Sequence, residues 1–223
     1  MLQLSTLQFL KQLNKNNNKE WFDANRKQYE IAKADFASFI QNVINEFCTI
    51  DKSLTSLTAK DCMFRINRDI RFSKDKSPYK TNFGASINTG GKKSLKAGYY
   101  IHVQPGNSFV GGGLYDPFPD VLKKIRQEVD YNFDEFKKII YNKNFKNIYT
   151  KGLSKENELS LSRPPKGYDE NNPAIEFLKL KSFIAIAPLT DAQLTGKNAA
   201  STIVKSFKAL HPLVIFLNKA LEN

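Results

Sequence analysis

The stretch Cys62-Met63-Phe64-Arg65-Ile66-Asn67-Arg68-Asp69-Ile70-Arg71-Phe72-Ser73-Lys74-Asp75-Lys76-Ser77-Pro78-Tyr79-Lys80-Thr81-Asn82 decides how the rest of the chain is read. Phe64, Ile66, Ile70 and Phe72 share one parity, and Arg65, Asn67, Asp69 and Arg71 share the other. Period 2 predicts a half-buried strand. Arg68 falls on the apolar parity, so its stem snorkels outward, a bulge shifts the register, or it is a buried ion-pair partner. Ser77-Pro78 ends the strand, because proline has no N–H for the ladder. The same region is the most basic in the chain. Residues 60–96 hold ten Lys or Arg against three Asp, a net +7 of the formal +12. A local excess of this kind points to an anionic partner such as phosphate, nucleotide or nucleic acid, or else to a plain solvated basic face.

Downstream, Phe83 to Asn88, Tyr99 to Gln104 and Ser108 to Gly111 read as further strands. The turn signals Thr89-Gly90-Gly91-Lys92 and Pro105-Gly106-Asn107 separate them, and loops this short favour an antiparallel meander. Upstream, Ser5 or Thr6 is placed to cap a short helix carrying Leu7, Leu10 and Leu13. Asn17 and Glu20 resemble a capping box for a long amphipathic helix running from Trp21 to Phe47, and Lys52 to Lys60 reads as a polar connector. After Gly111-Gly112-Gly113, Asp116-Pro117 would open a helix with Val121, Leu122, Ile125 and Val129. A helix around Phe133 to Ile140, a helical turn at Ile175 to Leu180 and a strand over Ser182 to Ala187 follow. A closing helix from Asn198 or Ser201 should kink or split at Pro212. The expectation is a single α+β domain over residues 1–223, an antiparallel meander-like sheet packed by the long N-terminal helix and by C-terminal helices.

Composition narrows the function classes. The 223 residues are 41% hydrophobic and 12% aromatic, ordinary globular values. No uncharged apolar run approaches the roughly 20 residues of a membrane span, and the start lacks the basic and small-residue pattern of a signal peptide. Two cysteines argue against a disulfide scaffold. The expected compartment is the cytoplasm, with no membrane partner. Two histidines without metal-ligand spacing leave no metal site and no cofactor to assign. The triple glycine lacks the sequence of a P-loop or a dinucleotide fingerprint, and reads as a glycine bulge closing a strand. There is no Gly-x-Ser-x-Gly elbow.

The residues that carry candidate chemistry centre on the basic stretch. Alternate strand residues lie about 7 Å apart, so Arg65 and Arg71 would be too distant to grip one phosphate together. A phosphate site would use Arg71 with Lys76 and Lys80 from the turn, the guanidinium as a fork and the lysines as point charges. Arg65, Arg68 and Lys166 complete the expected binding set, with Asp69 orienting the arginines. His102 shares a face with Tyr100 and Gln104 and titrates near neutral pH, which suits it to acid–base work. His211, in an apolar helix, reads as structural. Arg163-Pro164-Pro165-Lys166-Gly167-Tyr168 is a stiffened loop whose glycine permits a turn.

Several of these segments resemble a family of uncharacterised proteins, the domain of unknown function 2461. The resemblance rests on Asn17 to Phe22 with Tyr29, Arg65 to Phe72 and Asp75 to Thr81. It continues in Gly98 to His102, Gly111 to Gly113 and Pro165 to Tyr168. It implies one compact α+β domain and brings no activity with it. The function expected from the residues is therefore a cytoplasmic module that binds a phosphate-bearing ligand through 65–81. That ligand would be a nucleotide, a phosphorylated metabolite or a nucleic acid. The alternatives are a pocket enzyme using His102 and Asp69, and a structural protein whose arginines are paired internally. A nucleic-acid surface would further expose Tyr79, Tyr99 or Tyr100 between the cations.

Overall fold

The structure is a computed structural model describing residues 1–155 and 159–222. Helices α1 (Leu4–Lys15), α2 (Lys19–Ala24), α3 (Arg26–Phe47) and α4 (Ala59–Cys62) precede strands β1 (Phe83–Ile87), β2 (Gly98–Val103) and β3 (Ser108–Leu114). Then come α5 (Pro119–Tyr131), α6 (Phe133–Ile140), α7 (Lys143–Ile148), α8 (Ile175–Leu178), β4 (Phe183–Leu189), α9 (Asp191–Thr195) and α10 (Ala199–Glu222). The four strands form one antiparallel sheet in the order β1-β2-β3-β4. The fold is α+β with a meander sheet, as the turn signals in the sequence imply.

The chain divides into two compact units. The first comprises Met1–Ser94, Tyr100–Val110 and Pro188–Lys205. Its core is the apolar stripe of α3, where Phe36, Phe39, Ile40, Val43, Ile44 and Phe47 are all buried. Against it α1 buries Leu7, Phe9, Leu10 and Leu13, and Phe36 stacks on Phe83 at 5.3 Å between ring centres. Burying side chains of this size contributes about 1.5–3 kcal/mol each before the entropy of ordering them is subtracted.

The second unit comprises Leu95–Tyr99, Gly111–Ala187 and Ser206–Asn223. Phe136 is its hub, 5.2 Å from Phe177, 5.4 Å from Phe216 and 6.3 Å from Phe183. Two of its buried tyrosines have polar partners for their hydroxyls. The Tyr149 hydroxyl donates to the Ser206 carbonyl at 3.0 Å, and the Tyr99 hydroxyl lies 2.6 Å from His211 Nδ1. His211 thus has the structural role expected of it.

The glycine triplet lies inside β3, where the neighbouring backbone comes close. A Cβ at Gly111 would lie 2.4 Å from the Ala185 carbonyl oxygen, and one at Gly113 only 1.9 Å from that of Phe183. Gly113 also has a φ of 112°, a conformation L side chains rarely adopt.

Several boundaries differ from expectation, each for a local reason. Asn18, not Asn17, caps α2 by accepting from the Trp21 N–H at 2.9 Å. The expected long helix breaks at Asn25 into α2 and α3. Ser5 and Thr6 lie within the first turn of α1, and the Thr6 hydroxyl and the Gln3 N–H both donate to Asp35. Residues 59–62 form a helical turn closed by a capping box of Thr58 and Asp61. Helix α5 starts at Pro119, while Asp116 is left-handed with φ of 45° and its N–H donates to the Ser182 hydroxyl. α10 runs through Pro212 unbroken. Both Pro212 and Lys208, whose carbonyl loses its helical donor, are exposed, so water can satisfy that oxygen.

Gly113→Ala should destabilise the protein by about 3 kcal/mol or more, since strain and a backbone clash coincide there. Its urea midpoint set against that of wild type measures this. A loss below about 0.5 kcal/mol would mean the strands can part to admit a methyl group.

Candidate functional site

The basic stretch is an arm with little regular pairing. Among the described residues its ladder contacts are the Asn67–Tyr79 and Met63–Ala85 bridges, with Phe64 N–H donating to the Gly84 carbonyl at 3.0 Å, Lys80 N–H to that of Ile66 at 2.8 Å and Arg68 N–H to that of Pro78 at 3.0 Å. This corrects the strand expected over Phe64 to Phe72. Of the apolar parity only Ile66 is fully buried, while Phe64 is 38% and Phe72 96% exposed. The reason is local competition. Asp69 accepts from the Arg71 N–H, and Asp75 from the Ser77 N–H, so two carboxylates cap turns where a ladder would need extended backbone.

The arm is fastened to the first unit by Asn17. Its amide donates to the Tyr79 carbonyl at 2.9 Å and accepts from the Tyr79 N–H at 3.1 Å, in the manner of a neighbouring strand. The Phe22 ring lies on the Tyr79 ring at 3.9 Å. Tyr79 is consequently buried; Tyr99 is buried too, so neither is an exposed ring of the kind expected between the cations.

Three of the expected binding cations are engaged within the arm. Arg71 makes a two-point pair with Asp69, at 2.9 and 2.6 Å. Arg68 pairs with Asp75 and reaches the Ser73 hydroxyl, so of the three fates the sequence left open it takes the ion pair, part-buried. Lys76 donates to the Ile70 carbonyl at 3.0 Å. Arg71 holds the Asp69 carboxyl below its usual range, and Ser77 and then Arg68 do so for Asp75.

Arg65 and Lys80 differ. Neither has a carboxylate within ion-pair distance among the described residues. Lys80 sits 5.4 Å over the Phe64 ring, and its ammonium is held below the usual lysine range by burial and by the nearby Arg65 charge. Two cations are therefore kept close together beside an exposed aromatic ring. Lys166 is exposed on the turn Pro165 to Tyr168 in the second unit, with Gly167 at φ of 93°.

Beside Phe64 lies an aromatic row on the polar face of β2. Phe64 meets Tyr100 edge-on at 6.3 Å, and His102 stacks on Phe109 at 4.6 Å. Gly84 leaves room for this row, since a Cβ there would lie 2.5 Å from the Tyr100 hydroxyl. Asn82 Nδ2 and the Tyr100 hydroxyl both approach His102 Nδ1 at 3.4 Å. His102 Nε2 donates to Gln104 Oε1 at 3.1 Å, which the donor at Nδ1 makes the consistent tautomer. Gln104 in turn reaches the Thr81 hydroxyl at 3.5 Å. Asp69 is not among the partners of His102; it is committed to Arg71.

Thr81 and Gln104 also floor a groove of about 250 Å³ whose wall is the polar side of α1, with Gln8, Lys11, Gln12 and Lys15. Lys11 is 3.6 Å from Asp191, and Lys15, in the last turn, has no ion pair among the described residues. The sequence reading missed these lysines. Their spacing of four on the polar face of a short helix was the available signal.

Burial holds the His102 imidazole below its usual value. The unfolded chain then binds a proton that the folded one resists, so this group's stabilising effect is present above the unfolded pKa and is lost as pH falls. The wild-type denaturation midpoint should drop more steeply from pH 7 to pH 5 than that of His102→Gln. Parallel profiles would mean His102 titrates as freely folded as unfolded.

No curated protein and no solved structure matches this chain. One family model does, over residues 5–216. The span includes the Asn17 clamp, the arm, the aromatic row and the glycine triplet, and the chain accordingly belongs to the family described as conserved hypothetical protein (DUF2461).

Proposed function

We propose that this protein binds an anionic, phosphate-bearing ligand on the face formed by Arg65, Lys80, Phe64 and the Tyr100–His102 row. The observation that carries this reading is that Arg65 and Lys80 lie near one another with no carboxylate within ion-pair distance of either among the described residues. Lys80 is partly buried and Arg65 exposed, and a like charge beside a partly desolvated cation costs free energy unless an anion completes the set. Arg65 offers a planar fork of donors, Lys80 a compact charge, and the rings beside them a surface for a flat group such as a nucleobase. Lys15 and the amides of Gln8 and Gln12 add donors along the nearby groove. A cytoplasmic location belongs to the same reading, with Cys48 and Cys62 both free thiols.

A second reading has one specific observation in its favour. Arg68, Arg71 and Lys76 are satisfied inside the arm, as a structural lattice requires. The enzyme reading has less support, because His102 is matched on both nitrogens and no carboxylate joins it.

Labelled single-stranded and duplex oligonucleotides, together with free nucleotides, titrated across a salt series separate the two leading readings. Wild type should bind with affinity falling as salt rises. Arg65→Ala/Lys80→Ala should bind more weakly, its log–log salt slope for single strands shallower by about 1.4, the value for two lost phosphate contacts. Equal binding by wild type and the double variant would assign the cations to solubility, and the arm to a structural role.

A further inference from the structure

The tip of the arm does something that a structural lattice does not require. Phe72 is 96% exposed, the most exposed of the large apolar side chains among the described residues. It is not on a slack loop. Residues 68–77 are braced by the Arg68–Asp75 and Arg71–Asp69 pairs, by Lys76 on the Ile70 carbonyl, and by Asp75 capping Ser77. The base of the arm is tied down at Tyr79 by Asn17 and Phe22. Bracing of this kind reduces the entropy lost when the tip meets a partner. The ring is thus held out in water at a fixed place, with the Arg71 guanidinium 5.8 Å from its centre.

The charges around it select the partner. Once Arg68 and Arg71 are counted against their aspartates, Lys74 and Lys76 remain as the uncompensated charges of the tip, and Arg65 and Lys80 as those of the base. Two exposed rings stand among these cations along the arm, Phe64 at the base and Phe72 at the tip. That interleaving matches a single-stranded nucleic acid, whose bases stack on exposed rings while the phosphates follow the cations. It matches a lipid surface less well, because one phenyl ring flanked by Ser73, Lys74 and Asp75 offers too little apolar area for stable insertion.

Resting on the anion-binding reading above, we infer that residues 68–77 form a preformed finger that stacks Phe72 on an unpaired nucleobase, with Lys74 and Lys76 beside the flanking phosphates. The proposal extends the site from the Arg65–Lys80 face to the tip of the arm. It also narrows the ligand to single-stranded nucleic acid.

The experiment compares wild type, Phe72→Ala, Phe72→Tyr and Arg65→Ala/Lys80→Ala for binding to a labelled single-stranded oligonucleotide, its duplex, free nucleotides and anionic phosphatidylserine vesicles. Phe72 touches no core, so its variants fold, as matched denaturation midpoints would verify. Phe72→Ala should lose roughly 5- to 100-fold in single-strand affinity with an unchanged salt slope, Phe72→Tyr should retain binding, and the duplex should be bound more weakly. Single-strand binding that is indifferent to Phe72→Ala yet weakened in Arg65→Ala/Lys80→Ala would overturn the finger and leave the anion-binding face standing. Vesicle capture that needs Phe72, without oligonucleotide binding, would overturn it in favour of a lipid surface. Binding of free nucleotides alone, lost in the double variant, would likewise overturn it while sparing the anion-binding reading.

Discussion

The two hydrogen bonds between the Asn17 side chain and the Tyr79 backbone are what the candidate site depends on. The arm from Ile66 to Lys80 has too few ladder contacts to hold itself against the entropy of a free loop. An amide can stand in for a strand residue because it carries one donor and one acceptor at the right separation. Asn17 supplies both, and the Phe22 ring stacks on the Tyr79 ring beside them. With the arm fixed at Tyr79, the next residue, Lys80, is held over Phe64, and Thr81 and Asn82 are delivered to Gln104 and His102.

The electrostatics of the arm divide into two kinds of charge. Those near the tip are exposed and mostly paired, and such pairs contribute little to stability. Their effect is conformational, since each carboxylate closes a turn as well as meeting a guanidinium. At the base, Arg65 is exposed and Lys80 partly shielded, and neither is in an ion pair among the described residues. A net charge of +12 does not separate these cases; position and partner do.

Much of the fold was legible in the sequence. Long amphipathic periodicity gave α3 and its buried stripe from Ala32 to Phe47, and paired turn signals gave β1, β2 and β3. The arm was misread for a stated reason. Alternation of apolar and polar residues says which side chains could share a face, but a strand also needs a partner for its backbone, and Asp69 and Asp75 bond their own neighbours first. The α2 cap was misplaced by one residue for a related reason, as either Asn17 or Asn18 can cap a helix and only the long-range contact to Tyr79 decides between them. Of the candidate site, the sequence located the basic stretch and His102. It did not separate Arg65 and Lys80 from the paired cations, nor find the Lys11 and Lys15 groove wall.

By itself the sequence determined the fold class, the meander order of the first three strands and the concentration of positive charge between residues 60 and 96. These follow from short-range periodicity, turn chemistry and composition, which act within a few residues along the chain. Tertiary structure alone decided which cations are neutralised, that Tyr79 is buried while Phe72 stands in solvent, and that His102 is matched on both nitrogens. The burial of Tyr79 and the Asn82 contact to His102 depend on groups distant in sequence, and even the local pairs, Arg71 with Asp69 and His102 with Gln104, are one choice among several neighbours that is settled only when the chain is packed.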